Sequence, residues 1–465
     1  MVSTQGVGRR AVLRGVGGGC LMGAMFGAGA LLPLWAEEPS GRILRAMDFG
    51  LGLSEGRDDD TPGLQRLIDE ELRDGDTLVL GPRHRLRARR GRRSGFQERS
   101  TLYLQGLNGI TLEASHSELF EAEVDGAVQG VFTLRDCHDV TLRLGAFRGQ
   151  VDLPGEAFYS GFLVACDRGV SRLRVQARSV QDCHGGFVAL HGSGVRDVEI
   201  DIERLVHCNY GVTLRSDHRR VSARFAIDGC RRAFFIHGDS LDVVADYRVA
   251  NAYLTALRLG VGSGSGPIRD ARVRCRVVPG AEAYRQHARN RIEARGIGNQ
   301  LLNSRIEVVA SLPVSVVNFG DDAGFLMRHV ALHVTLPEAS DPSTVAPFTI
   351  GGVQSEPFEG VTAELHAGMR AVPGQPGRRT VQIRNGRGLV LRGALSCEAG
   401  VGEPLLIDDV AEAVLDLETR HDGEGPGLVL RRCHGVSGRL VTRQRLQVLD
   451  SRAVTLRVEA PDGKP

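Results

Sequence analysis

Three stretches of this chain, DCHGGFVALHGSGVRDVEI, HCNYGVTLRSDHRRVSARF and GCRRAFFIHGDSLDVVADY, align so that Cys183, Cys208 and Cys230 fall in one column, 25 and then 22 residues apart. VANAYLTALRL follows with Asn251 in that column, 21 residues on. A fixed period of about two dozen residues is the strongest constraint here, because such units bury an apolar face only by stacking on their neighbours. Each unit reads as a small residue at a turn, a short apolar strand, a polar loop, and a second strand of alternating character such as VRDVEIDI. Similar units precede (FTLRDCHDVTLRL, FLVACDRGVSRLRV) and follow (PFTIGGVQSEPFEGVTAEL, TVQIRNGRGLVLRGAL, GLVLRRCHGVSGRLV), and no linker divides them. The pattern predicts one right-handed parallel β-helix over residues 37–465. Cys183, Cys208, Cys230 and Asn251 are expected to stack inside it.

The first 36 residues read as a twin-arginine export signal. GRRAVLRG sets Arg9 and Arg10 ahead of an apolar, glycine-rich run that ends at LLPLWA before EEPSGR. Removal after Ala36 would leave a periplasmic or secreted chain with no membrane span. It also removes Arg9, Arg10 and Arg14 but no acid, taking the formal charge from +2 to −1, so no nucleic-acid partner is expected. The only tryptophan, Trp35, leaves with the signal, and Lys464 is the only lysine. Indole stacking on a neutral sugar and a lysine nucleophile are thereby excluded. The cysteines after Cys20 are scattered singly, which suits buried thiols better than bridges. Without paired ligands at zinc spacing or a glycine-rich phosphate loop, no metal or cofactor is expected.

MDFGLGLSEGRDDDTPGLQRLIDE, followed by DGDTLVLGPRHRLRA, resembles the opening of pectate-lyase-like β-helix proteins. The matching positions are Asp48, Phe49 and Gly50, then Asp59, Asp60 and Thr61, then the apolar spacing Leu64, Leu67, Ile68, Leu72. Read physically, Asp60 or Thr61 caps a short helix from Thr61 to Arg73, Pro62 suits its first turn, and the helix closes the open end of the solenoid. A calcium cluster at Asp58, Asp59 and Asp60 is not expected, since three adjacent acids rarely converge on one ion. The resemblance implies action on a polysaccharide, by elimination or hydrolysis, in a groove along one stacked sheet. The pectin-hydrolysing members' motif series is represented only by FGDDAG, with Asp321 and Asp322; no Gly-His-Gly or Arg-Ile-Lys follows. The Asp-Pro-His-Asp of alginate epimerases is also absent, RSDHRR sharing only its Asp-His.

Successive coils end LHGSG, LRSDH and IHGDS, which brings His191, Arg215, Asp217, His218, His237 and Asp239 onto neighbouring turns about 4.8 Å apart. An arginine to neutralise a uronate carboxylate and a histidine to move a proton are what elimination requires. Arg215, Asp217, His218, His237 and Asp239 are therefore the candidate catalytic residues, in an exposed loop. His184 and His207 flank the cysteine turn and are expected to satisfy backbone groups there. Glu199, Asp201, Arg224, Asp242, Asp246, Arg272 and Arg274 should line one face as a salt ladder. Two functions fit: an exported lyase or hydrolase of an acidic polysaccharide, or a non-catalytic β-helix that binds or organises envelope polysaccharide.

Overall fold

The computed structural model describes residues 41–461 apart from 53–58, 88–99, 122–129, 151–160, 191, 216, 261–265, 313, 340–347, 370–380 and 398–403. The export signal, with Cys20 and Trp35, and the candidate residues His191 and Asp58 lie outside the described residues. From Ile43–Arg45 to Arg452–Glu459 the strands join a single sheet, each pairing in parallel with its counterparts on adjacent coils. This is the parallel β-helix that the period predicts, right-handed as parallel crossovers are. In-register pairing stacks like on like: Val198 lies beside Val221, and Val221 beside Val243. Farther along, Phe319, Ile350, Ile383 and Ile407 form one inward column. Each fully buried aliphatic side chain contributes about 1.5–3 kcal/mol, and the repeat multiplies that term along the axis.

Strands do not break at the cysteine turn as the sequence pattern suggests. Arg196–Leu214, His218–Ile236 and Ser240–Leu259 each run through the corner. The bend is made by one residue per coil in left-handed conformation: Asp182, His207, Gly229 and Asn251. Asn251 is therefore not in the cysteine column. Cys208 pairs with Cys230, Cys183 Sγ lies 3.6 Å from Cys208 Sγ, and the next member of the column is Ala252. Asn251 instead stands beside Gly229, one residue before the column, at the left-handed corner position that asparagine tolerates. Its Nδ2 donates to Asp228 Oδ1 at 2.8 Å and to the Ala281 carbonyl at 3.0 Å.

The capping helix spans Thr61–Arg66 and continues as a wider turn over Leu67–Glu71, two residues short of the expected end. Leu64, Leu67, Ile68 and Leu72 are buried against the first coils. Its amino end departs from expectation, because neither Asp60 nor Thr61 caps it. Asp59 Oδ1 accepts the Thr61 amide at 3.1 Å, and Asp60 turns instead to the buried His84, whose Nδ1 is 2.9 Å away. The Thr61 hydroxyl accepts the Arg87 amide at 2.7 Å. Gln65 caps the sheet in a different way: its Oε1 accepts the Tyr103 amide at 2.9 Å and its Nε2 donates to the Tyr103 carbonyl at 3.0 Å. One side-chain amide thus pairs with the outer edge of Ser100–Gln105 as a neighbouring strand would.

Candidate functional site on an outward face

Beyond the corner the strands present a second face to the outside. Val212 and Leu214, Phe234 and Ile236, and Leu257 and Leu259 belong to the core, so the residues between them point away from it. Register stacks those outward residues in rows. Tyr210 and Thr213 lie beside Arg232 and Phe235, these beside Thr255 and Arg258, these beside Arg291 and Glu293, and Glu293 beside Asn318. One position further, Arg215, His237, Gly260, Arg295 and Gly320 stack just past the strand ends. Earlier coils contribute Phe162, Ala165, Val188 and Leu190, an apolar cluster separate from the core with Tyr210 packed on it. The face is apolar at its amino end, cationic in the middle and acidic beyond.

At the acidic end, Arg295 grips Asp322 with two bonds, Nη2 to Oδ1 at 2.8 Å and Nε to Oδ2 at 3.1 Å. Arg295 Nη1 also lies 3.8 Å from Glu293 Oε1, while Arg258 Nη1 donates to Glu293 Oε2 at 2.5 Å. Asp321 stands beside this network, its amide donating to Asn318 Oδ1 at 3.3 Å. Packing on one side and the charge of Asp322 push its carboxyl above the usual range, although the residue keeps an exposed edge. One acid thus has its carboxyl shifted upward while its neighbour is held by a guanidinium. A carboxyl shifted upward beside a second, guanidinium-held carboxylate is an arrangement that glycan-cleaving chemistry can use.

The candidate residues from sequence divide three ways. Arg215 and His237 do sit on neighbouring coils of this face, and the His237 ring packs 4.2 Å from Phe235. His218 does not belong to an exposed loop: it opens the next strand in the inward column between Val195 and Ser240 and is fully buried. The reason is the brevity of the connection, since the left-handed Asp217 reverses the chain and turns the following side chain inside. Asp217 and Asp239 occupy that left-handed position on successive coils, and the cation near Asp217 is Arg219, 4.0 Å away. His207 is held by a side chain, its Nδ1 2.8 Å from Asp182 Oδ1, with its ring stacked on Tyr284. His184 packs against Phe162 and Tyr210.

Glu293, Arg258 and Arg295 were missed, and FGDDAG was read only as an incomplete motif. A signal did exist, in the apolar–polar–apolar triplets LRL, IEA and VNF, whose middle residues Arg258, Glu293 and Asn318 face outward. On another face the expected ladder forms: Arg174 Nη2 is 2.9 Å from Glu199, Arg224 pairs with Asp201, Arg276 Nη1 is 2.6 Å from Asp246, and Arg274 Nε is 2.8 Å from Glu307. Asp242 instead takes a left-handed turn conformation.

No family model matches the chain, and no curated protein matches it. Among solved structures, a tailspike protein mutant of E. coli bacteriophage HK620 in complex with a pentasaccharide is similar at 10% identity, over 89% of this chain and 80% of that one, with a TM-score of 0.49. The catalytic unit of a thermostable GH87 α-1,3-glucanase from Streptomyces thermodiastaticus gives 11% identity, 91% and 68% coverage, and 0.37. A surface adhesin of Streptococcus pneumoniae gives 11%, 91% and 94%, and 0.39. The fold assignment above rests on this chain's own strand register.

Proposed function

We propose that the outward face binds an acidic polysaccharide and that the chain is an exported carbohydrate-active protein that cleaves it by hydrolysis. The observation that carries this reading is the carboxyl pair, Asp321 raised and reachable beside Asp322 held by Arg295. Asp321 would act as the acid toward the departing glycosidic oxygen, and Asp322, oriented by Arg295, would stand by the positive charge that develops on the sugar. Arg215 and His237, upstream on the same face, support the elimination route instead, with Arg215 on a uronate carboxylate and His237 moving the proton.

Purified protein incubated with alginate, pectate and glycosaminoglycans separates the two. Hydrolysis releases reducing ends without ultraviolet absorbance and is abolished, by about 100-fold or more, in Asp321→Asn. An absorbing unsaturated product that is lost in His237→Ala establishes elimination and overturns the hydrolytic assignment. A second reading, a binding protein without turnover, is favoured by the pairing of Glu293 with Arg258 and of Asp322 with Arg295, which leaves both acids engaged before any ligand arrives. Retention on an acidic glycan with no product of either kind would establish it.

A further inference from the structure

We propose that the half of this face built by Arg196–Leu214 and His218–Ile236 is a subsite for an anionic sugar, with Arg232 receiving its carboxylate or sulfate, Tyr210 and Phe235 flanking its ring, and Arg215 adding positive charge further along the strand. The proposal rests on the glycan reading above and says which part of the polymer must carry charge.

Charge balance on the molecule is uneven. On the laddered face, guanidinium after guanidinium stands against a carboxylate. Here the outward residues Tyr210, Thr213, Arg215, Arg232, Phe235 and His237 include no acid, and Asp217 on the adjoining turn lies toward Arg219. Arg215, Arg232 and, two coils on, Arg291 are only partly exposed, yet none has a carboxylate within 4.0 Å among the described residues. Among the described residues, Arg215 Nε and Arg291 Nε are enclosed without a hydrogen-bond partner. Partly desolvated guanidinium groups are costly to leave without a counter-charge, and an oxyanion at their exposed donors supplies one.

Arg232 is also preset for the task. Its Nη1 donates to the Tyr210 hydroxyl at 3.1 Å, and its guanidinium carbon lies 5.8 Å from the Tyr210 ring centre and 5.2 Å from that of Phe235. The two rings fix the plane of the fork while its other donors remain for a planar or tetrahedral anion. Glu293 follows two coils on and Asn318, which holds Asp321, three coils on. At about 4.8 Å per coil, the anion sits roughly 10–15 Å from the acids. The charged sugar is therefore not the one whose bond is broken, and polymer direction along the axis is set by charge.

Titration calorimetry on an Asp321→Asn background tests this with three probes of equal length: an oligogalacturonate, a sulfated heparin-derived oligosaccharide and a neutral cello-oligosaccharide. At least one anionic probe should bind about tenfold or more tightly than the neutral one, and which one names the acid as carboxylate or sulfate. Adding Arg232→Gln or Arg215→Gln should weaken that binding about tenfold or more, while Arg224→Gln on the laddered face leaves it unchanged. If Arg232→Gln loses its β-sheet circular dichroism, Arg215→Gln carries the comparison. Equal binding of the neutral probe, unaltered affinity in the arginine variants, or no binding of any probe overturns the subsite. Anion binding without turnover by the unmutated protein would sink the cleavage reading alone, and turnover without charge preference would sink the subsite alone.

Discussion

Among single residues, His184 shows how a side chain on this face is tied to folding. It lies 4.6 Å from the Phe162 ring and 5.1 Å from Tyr210, and burial, with Arg215 and Arg231 nearby, brings its pKa down to about 3. An unfolded chain titrates this group near 6.5. Between those values the unfolded state accepts a proton that the folded state refuses, so stability present above pH 6.5 is lost as the pH falls toward 3. Urea midpoints at pH 7, 5 and 4 should therefore drop more for the unmutated protein than for His184→Phe, which keeps a ring without the proton; parallel losses would place the acid sensitivity elsewhere. Residue identity was legible where burial repeats, as at Cys183, Cys208 and Cys230. It was not legible at Asn251 or His218, because a left-handed corner one residue before the column and a very short turn decide which way a side chain points without changing composition.

For the elements, the capping helix was legible because its apolar spacing meets a motif with turn chemistry, but the way it closes the solenoid was not. Gln65 supplies both a donor and an acceptor to Tyr103, a long-range match that no local pattern announces. Replacing it with alanine should cost about 2 kcal/mol, since a partly buried amide and carbonyl lose their partners. It should also increase self-association at high concentration by uncovering a strand edge. Urea denaturation and light scattering check the two effects separately; loss of stability with no change in scattering would show that the edge is guarded by other groups. The outward face itself was only half legible. Arg215 and His237 could be placed because neighbouring coils share loop length, whereas Glu293 and Arg295 follow coils of different length, so only the formed register brings them alongside.

At the scale of the whole molecule, stacking makes each coil depend on its neighbours, and a chain of this kind suits a route that carries proteins already folded. Cells carrying Arg9→Lys with Arg10→Lys should retain the protein in the cytoplasm, as read by fractionation; normal periplasmic accumulation would rule the twin-arginine route out. The destination matters for the thiols. Cys137, Cys166, Cys183, Cys208, Cys230, Cys275, Cys397 and Cys433 are all buried and unbridged, and burial drives the Cys166 and Cys230 thiols well above their ordinary value and that of Cys275 up to about 12. Thiol–disulfide exchange begins from a thiolate that can reach its target, and at Cys166, Cys230 and Cys275 burial opposes both ionisation and access. In an oxidising compartment, packing would therefore shield the sulfurs for as long as the coils stay closed, and their redox lifetime would be set by how rarely the protein opens.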